Sequence, residues 1–522
     1  MSQEKLFAEF PDVSTEEWEA TIQADLKGAD YEKKLVWKTL EGIAVKPYYR
    51  KADTDGISWL LNNLPGEFPF ARGTKKTDNN WEIRENIYEE NVAAANAAAK
   101  LALERGANAV CFLHGTQADC QALSAGIDSS KVYFDFIENK SIIKTHNYHN
   151  AGANIIQELS IALYGGLEQM DALTEAGQTA EQAAAQISFS ISVGSRYFLE
   201  IAKIRALRIL WANVLKEYGV TGTAKIHVCT SLWNATVFDP NVNMLRVTTE
   251  AMSAAIAGAD SITVIPYDAV FKKPDEFSCR IARNVQLLLK NECNFHKIVD
   301  PSAGSYYIET LTEQIASKVL EAFKKFDPNS IEKAIEESCK QKEKLIAQRR
   351  EVFVGTNQYP NLQEKMSDKI TTTSSIRRGP QVFEELRLQT EKSGKAPKVF
   401  LWTAGDLGMR LARATFIKNF FGCAGYTVID TNGISSVAEG IELVKKNSPQ
   451  IVVLCSKDEE YSGLAKEIFP ALEKEFPGII RIIAGNPKDA EELKAAGAQD
   501  FIHVLTNVID SLSSYQKKLG VA

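Results

Sequence analysis

Lys398-Val399-Phe400-Leu401-Trp402-Thr403-Ala404-Gly405-Asp406-Leu407-Gly408 decides how the carboxyl-terminal part of this chain folds. The apolar run Val399 to Trp402 has the length of a buried strand, two glycines bracket a turn, and apolar residues then recur at helical spacing from Met409 through Phe421. Strand, glycine turn and helix in that order open a parallel α/β domain, whose ligands sit at the turn after a strand's carboxyl end. The pattern continues to the end of the chain. Strands are expected at 399–402, 426–430, 451–455, 479–484 and 501–503, with helices between them and a last helix over 508–519. Five short strands at this spacing suit a flavodoxin-like, doubly wound parallel sheet over 397–522.

Upstream, residues 355–396 are polar and turn-forming, with Asn357, Pro360 and Asn361, then Thr371-Thr372-Thr373-Ser374-Ser375 and Gly394-Lys395-Ala396-Pro397. They read as a linker carrying a short helix over 382–391. Before it, 66–354 alternates short β-branched or aromatic runs (109–113, 132–136, 142–145, 187–191, 226–229, 262–265) with longer helical stretches (92–103, 153–164, 242–257, 275–290). Alternation over that length is the signature of a (β/α)8 TIM barrel. Residues 1–65 form an arm. Ser14 can cap a helix running to Leu26 with Glu17 reaching back, and 35–49 alternates and turns at Glu41-Gly42 as a hairpin.

A chain of 522 residues has room for about three domains, or two if one is a large barrel. With 45% hydrophobic and 24% charged residues it is an ordinary globular composition. A net charge of -7 lacks the basic footprint of a nucleic-acid binder. Met1-Ser2-Gln3-Glu4-Lys5 does not open a signal peptide, and no run of about 18 apolar residues could span a bilayer, so a cytoplasmic protein without membrane contact is expected. The eight cysteines show no Cys-x-x-Cys spacing, and of six histidines only His146 and His149 lie close together. That favours buried thiols over disulfides or a metal site.

Three blocks carry a resemblance. Val36-Trp37-Lys38-Thr39-Leu40-Glu41-Gly42-Ile43-Ala44-Val45-Lys46-Pro47, the helix block Ser278-Cys279-Arg280-Ile281-Ala282-Arg283-Asn284-Val285-Gln286, and the turn Asp300-Pro301-Ser302-Ala303-Gly304-Ser305-Tyr306-Tyr307-Ile308-Glu309 each resemble segments of the methylmalonyl-CoA mutase family. With a barrel followed by a flavodoxin-like tail, the likeness covers nearly the whole chain. Read from the residues, Arg280 and Arg283 stand i,i+3 to pair with carboxylates, and Gly304 permits a turn.

The family's catalytic blocks are altered. Its Arg-Gly-Pro-Tyr stands here as Arg72-Gly73-Thr74-Lys75, ahead of Trp81-Glu82-Ile83-Arg84. Its Gly-Tyr-His-Met-Gln-Glu-Ala-Gly, registered on Ala151-Gly152, places His146 at the tyrosine and Asn147 at the histidine, while Tyr148-His149 repeats those letters two residues late. Its Cys-Gln-Thr-Ser-Gly-Trp-Ser-Leu appears as Val228-Cys229-Thr230-Ser231-Leu232-Trp233-Asn234-Ala235, where Leu232 adds bulk that suits a filled barrel. In the tail, the family's Asp-x-His-x-x-Gly supplies a histidine ligand to cobalamin. Here Asp406 is kept and Gly408 replaces that histidine; the later cobalamin motifs fall on Cys455-Ser456-Lys457 and on Gly485-Asn486. Lys457 and Asn486 are expected where the coenzyme's nucleotide tail would be buried, and His503 is expected on a strand as a core or edge residue.

The resemblance therefore implies a small, non-cobalamin-binding subunit. It would have no catalytic residue, cofactor site or metal site of its own, with degenerate cobalamin positions at Asp406, Gly408, Ser456, Gly485 and Asn486. It would pair as a heterodimer with a large (alpha) subunit that binds adenosylcobalamin and interconverts methylmalonyl-CoA and succinyl-CoA. Two other readings stay open: a stand-alone acyl-CoA mutase, and a binding or signalling protein using the flavodoxin-like tail.

Overall fold

The structure, a computed structural model, describes residues 9–11, 13–372 and 376–521. Met1 to Lys5, read above for the absence of a signal peptide, and Thr373-Ser374-Ser375 of the expected linker lie outside the described residues. In chain order the strands are β1 (Trp37–Lys38), β2 (Ala44–Val45), β3 (Glu82–Ile87), β4 (Ala109–Phe112), β5 (Val132–Phe134), β6 (Ile142–Lys144), β7 (Ser188–Val193), β8 (Lys225–Thr230), β9 (Ser261–Thr263), β10 (Lys398–Thr403), β11 (Thr427–Ile429), β12 (Ile451–Cys455), β13 (Ile480–Ala484) and β14 (Asp500–Ile502).

The arm forms as its sequence dictates. Helix Thr15–Asp25 starts with the Ser14–Glu17 capping box and stops where Lys27 and Gly28 take positive φ. β1 and β2 pair antiparallel around Gly42, whose φ of +72° suits glycine.

β3 to β9 make one curled parallel sheet in the order β5-β4-β3-β9-β8-β7-β6. Register pairs Glu82 with Ser261 and Arg84 with Thr263, so β9 closes directly onto β3. The sheet thus wraps into a TIM-like barrel of seven strands among the described residues, not the eight of the full pattern. A seam remains: β5 and β6 are consecutive in sequence but share no ladder among the described residues. β3 is the strand that hydrophobic runs do not reveal. Ile83 and Ile87 are the only apolar side chains it gives the packed shell, with Glu85 between them, while Glu82, Arg84 and Asn86 alternate toward the lumen side.

Helix Tyr197–Glu217 is buried on nearly every face, packed against β7, helix Ile155–Glu175 and helix Tyr306–Phe323 in the main core. Gly166 makes this possible, because a Cβ there would lie 2.6 Å from the Trp211 ring. The polar side chains that this burial traps are paired. Arg205 sits between Asp300 and Glu309, and Glu309 also accepts the Gly304 N–H at 2.9 Å. The Asp300–Glu309 block is therefore a clamp on a buried guanidinium, with Gly304 at φ +76° closing the turn. Arg283 pairs with Glu85 at 2.6 Å, and Arg280 instead rests over the Phe277 ring.

The second sheet has the order β11-β10-β12-β13-β14, all parallel, which is flavodoxin-like. Alternate residues serve opposite faces. Val399, Leu401, Val453 and Ile482 pack under helices Leu407–Gly422 and Val508–Lys518; Phe400, Trp402, Val452 and Ile483 pack under helices Val437–Asn447 and Tyr461–Glu475. Helix Gln381–Ser393 within 355–396 is packed rather than loose. It sends Phe383 and Leu386 into the same core as Trp233, Ile346 and Val399, and Arg387 lies 4.0 Å from the Phe238 ring centroid.

Candidate functional site

Parallel sheets bind ligands beyond the carboxyl ends of their strands, so each sheet has one region to inspect. Over the second sheet, Asp406 caps helix Leu407–Gly422 by accepting the Met409 N–H at 2.8 Å. Gly408 is exposed in the first helical turn, where an added Cβ would meet only Asp406 Oδ1, at 3.5 Å. The turn itself is filled from within the chain. Glu460 accepts the Asp406 N–H at 3.1 Å and the Ser456 hydroxyl at 2.5 Å, and a Cβ on Gly405 would lie 2.0 Å from Glu460 Oε2. These hydrogen bonds hold the Glu460 carboxyl below its usual range, the Ser456 hydroxyl contributing most. Ser456 is buried, and its hydroxyl also reaches the Ala404 carbonyl oxygen. Gly485, at φ +155°, lies against the Arg413–Asp458 ion pair.

Lys457 and Asn486 are exposed. The group that fills the turn is Glu460, which the sequence did not single out. One expectation is corrected here. His503 lies just past β14 rather than on it, and its Nδ1 accepts the Leu505 N–H at 3.3 Å. It is the only histidine of the tail. Three strand spacings, roughly 14 Å, separate its strand from β10.

In the barrel, Thr74 is exposed, and the Lys75 ammonium donates to the Asn80 carbonyl oxygen. Trp81 donates to Gln286 Oε1 at 3.2 Å, joining the altered segment at 72–84 to the helix block at 278–286. His146 and Asn147 line the lumen, as does Asn150. His149 turns the other way. Its Nδ1 lies 3.2 Å from Glu158 Oε2 and its Nε2 lies 3.0 Å from Ser231 Oγ. Glu158 and Glu200 flank Lys203 at 3.0 and 2.6 Å, all three buried. Burial alone would raise the Glu158 pKa, but the Lys203 ammonium and His149 outweigh it and hold that carboxyl at about 2. Glu250, which accepts the Ser231 N–H at 3.1 Å, is pushed well up by burial.

Serine, histidine and carboxylate in hydrogen-bonded sequence have the connectivity of a nucleophilic relay. The surroundings confine it. Ser231 Oγ also accepts the Trp233 N–H at 3.1 Å, and the void bordered by His149 and Gly194 is small, about 30 Å³. This cluster braces the barrel.

The lumen is different. It encloses a cavity of about 490 Å³, lined by side chains from β3 to β8 and from the segment between β5 and β6. The expectation of a filled barrel is therefore wrong. Leu232 does line the cavity, as its bulk suggested, but the unpaired seam leaves more width than one leucine fills. Cys111 and Cys229 face this space with thiols pushed up to about 12 by burial, so they stay protonated. Burial likewise lowers His146 and His227, which remain neutral imidazoles. Of the eight cysteines, Cys339, Cys423 and Cys455 are buried, whereas Cys293 is exposed.

Comparison with known proteins bears on the whole chain. A small subunit of methylmalonyl-CoA mutase from Porphyromonas gingivalis is 40% identical, over 99% of this chain and 99% of that protein. The small subunit from Streptomyces virginiae is 28% identical over 97% of this chain and 98% of its own length. Among solved structures, a cobalamin-binding protein from Desulfitobacterium hafniense covers 26% of this chain and 69% of its own length at 22% identity, with a TM-score of 0.21, too low to support any argument. The family model described as methylmalonyl-CoA mutase matches residues 38–132 and 137–398, which together are more than half of the sequence. The chain belongs to the methylmalonyl-CoA mutase family.

Proposed function

We propose that this chain is the small, non-catalytic subunit of a heterodimeric methylmalonyl-CoA mutase, acting in the cytoplasm by pairing with a large subunit that holds adenosylcobalamin and carries the reaction. When bound to such a partner, the coenzyme supplies the radical chemistry. The observation that carries the reading is the turn after β10. Gly408 offers no imidazole, and the Glu460 carboxylate occupies the turn that a coenzyme would approach. The residues present do not fit a cobalamin.

The arm supports the partner role. Helix Thr15–Asp25 buries none of its residues, and Trp18, Trp37 and Trp59 are each nearly half exposed, an unusual display of large aromatics along one segment. Aromatic side chains of this kind are the anchors of protein interfaces. Within the chain, we assign 1–65 to partner contact, 66–354 to the barrel, 355–396 to the connection and 397–522 to the second sheet.

The test is equilibrium binding of adenosylcobalamin, followed by its visible spectrum, to the purified chain alone and to the chain with a histidine-bearing large subunit. Binding and mutase activity are expected only in the pair. Tight binding to this chain alone, or turnover without the partner, would overturn the reading.

A further inference from the structure

We propose that the barrel lumen is a binding site for a free carboxylic acid with an apolar body, which enters through the seam between β5 and β6. The inference stands on the cavity and does not depend on the subunit's role in the mutase.

At about 490 Å³ the cavity is within the size range of small-molecule sites. Its two ends differ. Arg84, Lys144 and His227 come from the strands themselves, whereas Leu113, Leu232, Ile265 and Ala269, together with the polar Asp135, His146, Asn147 and Asn150, come from the segments that follow strand ends. Cationic side chains confined to the strands at the floor, with leucine, isoleucine and alanine beyond them at the rim, match an amphiphile with one acidic end.

The floor is built for an acceptor. Arg84 donates from Nε and Nη2 to Glu82 Oε1 at 3.1 and 2.9 Å, and from Nη2 to Ser261 Oγ at 3.3 Å. Its guanidinium carbon lies 3.5 Å from the Tyr133 ring centroid, which fixes the plane of the fork. Among the described residues no hydrogen bond is made by Nη1, so one arm of the fork remains available on a residue that lines the cavity. Lys144 pairs with Asp135 at 2.6 Å, but the lysine side chain is 29% exposed and the aspartate 46%. An ion pair that wet exchanges partners at little cost, and its position on β6 and just after β5 marks the seam as the entrance. With both histidines neutral, the cationic groups of the floor are Arg84 and Lys144.

The rim decides between a free acid and a nucleotide thioester. Phosphates call for cationic side chains or clustered backbone N–H groups, and among the lining residues that follow strand ends none is a lysine or arginine, while Asp135 is an acid. The lumen is suited to bind, not to transform, because its thiols stay protonated.

The experiment is calorimetric titration of the full-length chain with 4-phenylbutyrate, and in parallel with 4-phenylbutyramide, which keeps the shape and removes the charge. Saturable binding of the acid below about 1 mM, with the amide at least about tenfold weaker, is expected, tenfold being the loss of one charge-assisted hydrogen bond. Arg84→Met should weaken the acid to the level of the amide. Asn147→Trp, an exposed lining position, should abolish binding of both while leaving the thermal melt unchanged. Equal affinity for acid and amide, no saturation by 4-phenylbutyrate, binding unaffected by Asn147→Trp, or competitive displacement of the acid by coenzyme A would each overturn the proposal.

Discussion

The barrel lumen and the turn above β10 occupy equivalent places, since each lies where parallel strands end. The first encloses about 490 Å³, whereas the second is stoppered by a carboxylate from five residues past β12. What separates them is not the type of fold but where the polar groups find partners. In the lumen, Arg84 is only partly satisfied, and β5 and β6 leave the seam open. Above β10, Glu460 Oε2 meets a backbone N–H, a serine hydroxyl and a bare glycine Cα, so the turn is held by a group of the chain itself. An acid of the chain itself has become the ligand of its own crevice.

That contrast can be broken in stages. The largest effect is expected from Lys203→Met, which strands Glu158 and Glu200 in the barrel wall. Removing one partner of a buried ionic cluster costs about 3–5 kcal/mol, read as a drop in the denaturant midpoint, and a loss under about 1 kcal/mol would show that the cluster is not what braces the lumen. The same cluster sets an acid limit. Glu158 is depressed in the folded state, so its contribution is present above the ordinary carboxylate value of 4.5 and is lost as pH falls toward about 2. Wild type should therefore lose stability over that interval more steeply than Lys203→Met, and parallel slopes would remove Lys203 as the cause. Glu460→Ala should cost about 1–2 kcal/mol by deleting charge-assisted hydrogen bonds at a partly exposed site, with no effect on the lumen's ligand affinity. If lumen binding moved as well, the two crevices would be coupled. The smallest change is expected from Gly408→His. The position has room for the side chain, so stability should shift by under about 0.5 kcal/mol. No cobalamin spectrum should appear, because Glu460 still fills the turn.

Much of this architecture was legible beforehand. The strands of the second sheet fell within a residue or two of expectation because both faces are covered, which turns each strand into an uninterrupted apolar run such as Ile451-Val452-Val453-Leu454. β3 escaped notice for the opposite reason: its lumen side carries Glu82, Arg84 and Asn86, and a polar interior looks like a loop when read for hydrophobicity. The cavity was misjudged because a single bulky residue, Leu232, is visible in sequence while a missing ladder between β5 and β6 is not. Gly408 was readable by comparison with a motif. Glu460 was not, since its meaning depends on a fold-back onto Gly405 across 55 positions that no local spacing encodes. The Gly304 turn of the Asp300–Glu309 block was legible, but the block's object, Arg205, lies far away in the chain and emerged only with the packing.

A closed barrel has no sheet edge, and this one does. The seam leaves two short borders of main-chain donors and acceptors, along Val132–Phe134 and Ile142–Lys144, that no neighbouring strand protects. Amide hydrogens there should exchange with deuterium well before those of β7 and β8, which are flanked on both sides. Such borders can also template the addition of a foreign strand, and at three residues each they are short enough to discourage it.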